Sequence, residues 1–311
     1  MDSRGAISKR PFTLGLLFLG LILLATIPLY VPPYPVISLT SIIMYTIITV
    51  SWAIFSGPTR YISLASAAFF GVGVYVSAML GEALPLPVFI ACGGLFSFIL
   101  ALFIGLLTLR LRGMYFIIFT FGVSELIRHF LLWWETNFTG TVGRWVVAAD
   151  HTTVYYGMVV IFVVLLLTAY LIRRSKFGLA LRGIGEYEEA AAHIGINVTV
   201  SKTITFAISA FFMGAAGAIM ATRWTYIDPS IAFNPLFSFM PVLMAIFGGV
   251  GQLYGPILGA ALFAYLEEIL ITKFPYYYML LFGTILIVVI LFLPSGLVGL
   301  IEKWRRRGSG G

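Results

Sequence analysis

The sequence predicts an all-α, polytopic membrane protein of about ten transmembrane helices, with broken or re-entrant segments and both termini cytoplasmic. Three observations carry that prediction. Hydrophobic residues make up 60% of the chain, charged ones 10%, and mean hydropathy is +1.04. A 311-residue chain of that composition cannot hide its apolar surface inside one water-soluble core. The apolar residues come in runs of about twenty, enough for a helix rising about 1.5 Å per residue to cross roughly 30 Å of hydrocarbon. The short alternating segments of a membrane β-barrel are absent. Finally, threading the runs in order gathers the basic residues on one side.

The runs cover 12–30, 36–55, 62–80, 87–109, 114–133, 154–172, 203–222, 236–250, 256–272 and 277–294. The first follows a basic leader but has no small-residue cleavage site, so it reads as a retained span and not as a removed signal. With the N-terminus inside, fifteen of the 19 Lys and Arg fall on the cytoplasmic side, among them Arg60, Arg110, Arg112, Arg173, Arg174, Lys176, Arg182 and Lys202. Only Arg144, Arg223 and Lys273 fall outside, and Arg128 lies within a span. That is the asymmetry of the positive-inside rule. The net charge of +7 is therefore a topology signal and does not point to nucleic acid. Residues 1–307 read as one transmembrane domain, and GSGG at 308–311 as a flexible appended tail.

Several spans are irregular. GPTRYISLASAAFFGVG (57–73) mixes Pro, Ser and Gly, so the third span is expected to begin as a broken or re-entrant segment. Such backbone is tolerated at membrane depth only where protein buries it or a cavity takes it up. In FGGVGQLYGPILGA (247–260), Gly251, Gly255 and Gly259 recur every four residues, the small-xxx-small spacing of close helix packing, and Pro256 marks the break between spans eight and nine. Glu125 and Arg128, three apart on the fifth span, can pair on one helix face. Glu267 and Glu268 either anchor the ninth span at the interface or face an aqueous vestibule.

Chemistry is poorly represented. Cys92 has no partner, which removes a disulfide framework and a cysteine metal site. His129, His151 and His193 are scattered without metal-ligand spacing. The glycines after Phe247 lack the Lys-Ser/Thr ending of a phosphate-binding loop, so no ATP site is expected. No catalytic residues and no metal are assigned.

RSKFGLALRGIGEYEEAAAHIGINVTVSK (174–202) is a polar island between two apolar runs, and about 173–203 forms the longest cytoplasmic loop. Its middle reads as one short helix between Gly185 and Gly195, with Glu186, Glu189 and His193 on one face and Tyr187, Ala191 and Ile194 on the other. An amphipathic helix of that kind suits docking into a groove of a cytosolic partner. A solvated linker fits the pattern equally well.

The run 174–221 resembles the cytoplasmic loop and following span of LivM-type permeases, the membrane subunits of branched-chain amino acid ABC importers within the branched-chain amino acid/urea permease family. Matching positions are Gly178, Ala180, Arg182, Glu186, Glu189, Ala190, Ala191, Gly195, Ile196 and Asn197. MAIFGGVGQLYGPILGAALF (244–263), RLRGMYFIIFTFGVSELIR (110–128) and PSGLVGL (294–300) look like further family signatures, so the resemblance covers most of the chain. It implies that the loop is the family's EAA motif, seated in a cleft of an ATP-hydrolysing subunit, and that this chain is a multi-pass permease of the cell membrane. It also implies partners: a second, LivH-type permease subunit, two cytosolic ATPase subunits that bind the ATP, an extracytoplasmic solute-binding protein and membrane lipid. No cofactor belongs to this chain.

Two stretches depart from the family pattern. Ala65 and Ser66 stand where relatives carry Gly and His, and TGTVGRW (139–145) stands where they carry a Gly-rich TGGSDG segment. Both bear on the solute and leave the class intact. Ser63, Ser66 and Tyr75, polar in a small-residue span, are candidates for the translocation path or for interhelical hydrogen bonds. Competing functions are a related importer permease for urea, amides, sugars or nucleosides, an ion-coupled secondary transporter, which would need inverted repeats and midplane charges, and an intramembrane enzyme, which would need clustered catalytic groups.

Overall fold

The computed structural model describes residues 26–28, 30–109, 111 and 113–292. The first span up to its last turn, Arg110, Arg112 and the closing PSGLVGL signature lie outside the described residues. In chain order the helices are α1 Pro33–Thr59, α2 Ser66–Leu80, α3 Leu86–Thr108, α4 Met114–Trp134, α5 His151–Arg174, α6 Lys176–Glu186, α7 Glu188–His193, α8 Val198–Ala221, α9 Pro229–Ala232, α10 Leu236–Gly248, α11 Tyr254–Lys273 and α12 Tyr278–Phe292. A π-turn, Glu135–Thr139, extends α4, and two-residue strands β1 (Arg144–Trp145) and β2 (Tyr226–Ile227) pair antiparallel.

Local chemistry sets the boundaries. Asp150, Ser175 and Asn197 cap α5, α6 and α8, their side-chain oxygens accepting from Thr152, Gly178 and Val200 N–H groups at 3.1 Å each. Among the described residues, seven helical stretches are long and apolar enough to cross a membrane: α1, α3, α4 with its π-turn, α5, α8, α9 with α10, and α11. The helix α2, of 15 residues, is shorter than a full crossing, and α12 is described over 15 residues. The short α2 has a physical cause: residues 60–65 are not helical, so the third apolar run spends its first turns as irregular chain. That is the broken start expected from its Pro and Ser content.

The core is built around α8, which is buried along most of its length between α2 and α3. A Cβ on Gly73 would lie 1.9 Å from the Gly214 carbonyl oxygen, so α2 and α8 meet backbone to backbone. Phe55, Phe69, Phe116 and Phe206 fill the neighbouring space, with Phe55 and Phe206 rings 4.9 Å apart. A second cluster joins α10, α11 and α12 through Phe247, Phe263 and Phe282.

The spacing of Gly251, Gly255 and Gly259 resolves into two different roles. Cβ atoms on Gly255 and Gly259 would lie 2.0 Å from Gly249 O and 2.1 Å from Met244 O, and Gly248 is their counterpart on α10. Gly251 is exposed, with nothing within 4 Å of its Cβ position; its carbonyl accepts from the Arg173 guanidinium at 2.8 Å. It shapes the turn between the two helices and does not pack them.

The two ends of the bundle are distinct. The β1–β2 pair brings the segments after α4 and after α8 together at one end, the hairpin end. At the other, residues 58–62, 109, 173–202 and 249–253 converge, with Gly185 of α6 against Pro58 and Arg173 bonded to Gly251.

Candidate functional site

The 174–202 loop folds into a corner of two helices. Tyr187, in extended conformation at φ −153° and ψ 98°, separates α6 from the six-residue α7. This corrects the single helix expected between Gly185 and Gly195: Glu186 ends α6 while Glu189 and His193 belong to α7, so the three do not share one helix face. The inner side of the corner packs Leu181, Ile184 and Ala191 together. Its outer side exposes Arg182, Glu186, Tyr187, Glu189, Ala190, His193, Ile194 and Asn197, with Ile194 79% accessible. Gly195 (φ +89°) turns the chain out of α7 in the left-handed region that favours glycine, while the Ile196 N–H closes on Ala191 O at 3.1 Å. Gly178 lets the first turn of α6 approach the end of α5, where a Cβ would lie 2.1 Å from Ile172 O. Between α6 and the 250–253 turn lies a cavity of about 350 Å³, edged by Arg60, Arg173, Arg182 and Glu186.

The corner is tied to the bundle by residues that sequence reasoning passed over. Lys202, in the first turn of α8, is 2% exposed. Its ammonium donates to Glu188 Oε1 at 3.0 Å, to the Tyr61 hydroxyl at 3.1 Å and to Leu109 O at 2.9 Å. The Tyr61 hydroxyl in turn donates to Glu188 Oε2 at 2.6 Å. Three donors meet three acceptors, which is what a buried ammonium requires to offset its lost hydration. The signal was present as a lysine at the head of an apolar run, which the inside-positive count absorbed as one more loop charge.

Tyr61 lies in the non-helical segment 60–65, where side chains from three helices bond the backbone of Ser63 and Leu64. Trp52 Nε1 of α1 donates to Ser63 O at 2.8 Å. From α4, the Thr120 hydroxyl accepts from Leu64 N–H at 3.0 Å and Ser124 donates to Leu64 O at 3.3 Å. From α10, Ser238 donates to Leu64 O at 2.7 Å and accepts from Ala67 N–H at 3.2 Å. Non-helical backbone inside a membrane bundle needs this full accounting.

The path candidates separate accordingly. The Ser63 hydroxyl is buried and accepts from Ala65 N–H at 3.2 Å, whereas the buried Ser66 hydroxyl finds no hydrogen-bond partner. Tyr75 lies toward the hairpin end, its ring 5.7 Å from that of Phe233 and its hydroxyl near the Glu135 carboxylate without an ordinary hydrogen bond. Glu135, 2% exposed, accepts from Gly143 N–H at 2.8 Å and lies 3.6 Å from Arg144. Glu125 and Arg128 do pair, at 2.6 Å. Among the described residues no group of three or more His, Cys, Asp or Glu could hold a metal ion.

Residues 34–290, from the first turn of α1 into α12, match the family described as the permease component of branched-chain amino acid transport systems. The chain belongs to that family. This permease component is similar to LivM, the high-affinity branched-chain amino acid transport system permease protein of Salmonella typhimurium, at 27% identity over 307 residues, covering 87% of this chain and 71% of LivM. It is also similar to LivH of Salmonella typhimurium, at 24% identity over 282 residues, covering 82% of this chain and 91% of LivH. A shorter likeness, 29% over 123 residues, covers 38% of this chain and 33% of XylH, the xylose transport system permease protein of Haemophilus influenzae. No solved structure matches the chain. It is thus a multi-pass membrane permease, with the α6–α7 corner and the broken third span both inside the matched region.

Proposed function

We propose that this permease component forms one half of the translocation pore of an ATP-binding cassette importer for branched-chain or other hydrophobic amino acids. The observation that carries the reading is the α6–α7 corner: exposed on its outer side and locked at its base by Glu188 and Lys202, it is a lever and not a slack linker. In this reading residues 1–307 are one permease domain of about ten spans, both termini and the corner face the cytoplasm, and the hairpin end faces outward. Gly178, Arg182, Glu186, Glu189, Ala190, Ala191, Gly195, Ile196 and Asn197 form the coupling loop, with Gly178 and Ala191 packed on its inner side. A LivH-type second permease completes the pore, an extracytoplasmic binding protein delivers the solute, and two cytosolic ATPases, which hold the ATP, seat the corner. Their closure pushes α7, and the tie through Lys202 to Tyr61 carries the push into segment 60–65, which holds Ser63 and leads into α2 at Ser66. Such coupling is a shift between two states driven from outside this chain.

Co-expression with the neighbouring transport genes, followed by purification and an ATPase assay in lipid, tests this. The expected outcome is co-purified ATPases whose hydrolysis is stimulated by a loaded binding protein. Glu186→Ala and Gly195→Ala are expected to abolish uptake while ATPase activity and folding persist; normal uptake in both sinks the coupling assignment. Purification of the chain alone, with ion-driven uptake that needs no ATP, would replace the importer by a secondary transporter. The likeness to a xylose permease supports a second solute class, which stimulation by a sugar in place of an amino acid would reveal.

A further inference from the structure

A second polar set lies toward the hairpin end, away from the corner and the broken span. Tyr34, Ser38, Ser41 and Tyr45 fall at helical spacing along one face of α1, a polar stripe on a helix that spans the membrane. Tyr34, Ser38 and Ser41 each meet a charged side chain. The hydroxyls of Tyr34 and Ser38 donate to Glu268 Oε1 at 3.1 and 2.8 Å, and Tyr45 lines the same cavity as Glu267. Ser41 Oγ accepts from Arg223 Nη1 at 2.7 Å. Arg223 arrives from the segment after α8, and the two carboxylates from α11, so two elements bring opposite charges to the polar stripe of a third. They do so around a cavity of about 220 Å³ whose remaining wall is apolar, including Met44, Trp224 and Phe237.

Charges at membrane depth are expensive, and a fold that needs only packing would close them on one another or replace them. Here the guanidinium and the Glu268 carboxylate are instead held to hydroxyls of α1, and both face, with Glu267, a cavity that has apolar surface beside them. A fixed guanidinium matches a carboxylate, fixed carboxylates match an ammonium, and the wall matches an aliphatic chain.

We propose that this crevice is a binding site for the zwitterion of an aliphatic α-amino acid, with Arg223 receiving the α-carboxylate and Glu267 the α-ammonium. Glu268, held by two hydroxyls, sets the field and the position of the seam. The site deepens the importer reading and rests on its solute class, but it is a property of this chain by itself.

The full chain in lipid nanodiscs, titrated with L-leucine and followed by saturation-transfer difference NMR, tests it. Competitors are 3-methylbutylamine, which lacks the carboxylate, and 4-methylpentanoate, which lacks the ammonium. Leucine is expected to bind at least tenfold more tightly than either. Arg223→Gln should lower leucine affinity tenfold or more and abolish its advantage over the amine, Arg223→Lys should restore part of it, and Glu267→Gln should abolish the advantage over the acid. Absent saturable leucine binding, equal binding of all three compounds, or variants that bind as the parent does each overturn the site. So does a co-purifying phosphatidylethanolamine that is lost in Arg223→Gln and blocks leucine, since the crevice would then be a lipid site. Failure of ATP-driven uptake in the assembled complex would strike the importer reading and leave leucine binding by this chain untouched.

Discussion

The permease carries charge inside the bundle at both ends, fully buried at one and half-buried at the other, and the two ends treat it differently. At the corner end, the Lys202 ammonium, the Glu188 carboxylate, the Tyr61 hydroxyl and the Leu109 carbonyl close on one another until the lysine is 2% exposed. At the hairpin end, Arg223 and Glu268 are fastened to α1 and, with Glu267, face a cavity. On the readings proposed above, the closed set serves the fold and transmits displacement, and the open one is held for a ligand. The difference shows that a polar group in a membrane bundle is read less from its identity than from whether its partners belong to the same chain.

The sharpest way to break this contrast is Lys202→Met. It leaves Glu188 and Leu109 O without their cation, and a loss of about 3–5 kcal/mol in unfolding free energy is expected from removing one partner of a buried pair. Adding Glu188→Leu to that variant should recover about 2 kcal/mol, because the orphaned carboxylate goes with it; strict additivity in a chemical-denaturation cycle would show that the pair is not coupled. Next in size is Gly185→Ala, whose Cβ would lie 2.0 Å from Pro58 O. Prying α6 from α1 should cost about 1–3 kcal/mol, read as a lowered midpoint in the same assay. Ser238→Ala removes one donor to Leu64 O and the acceptor of Ala67 N–H, for about 1–2 kcal/mol. The smallest effect is expected at the open end: Glu267→Gln should shift stability by no more than about 0.5 kcal/mol, or raise it, since a site kept for a ligand is not kept for folding. A large loss there would make the crevice another structural knot.

Much of this was legible in the sequence. Runs of apolar length gave helices to within a few residues, because a hydrocarbon layer demands both length and internal hydrogen bonding. The Pro and Ser of 57–66 announced the broken third span, and the spacing of Glu125 and Arg128 announced their pair. The α6–α7 corner was less legible: GEYEEAAAH is compatible with one continuous helix, and only the packing of Ile184 and Ala191 on the same small cluster forces the bend at Tyr187. Glu188 was hidden between two exposed glutamates, and its partner lies fourteen positions on, beyond any helical period. Arg223 read as an outside charge because its neighbours in the crevice, Ser41 and Glu267, come from opposite ends of the chain. Periodicity sees faces of single helices, whereas both polar sets are assembled from three or more elements.

The non-helical stretch 60–65 also constrains how the bundle can move. Leu64 is held on its N–H by α4 and on its C=O by α4 and α10, while the preceding carbonyl is held by α1. A helix keeps its backbone bonds when it rotates as a rigid rod, but this residue cannot, since its bonds are shared among bodies that would rotate against each other. It is a strain gauge wired into the bundle. An isotope-edited infrared probe at the Leu64 carbonyl should therefore change frequency as the transporter cycles, and the direction of the change would tell which helix lets go first.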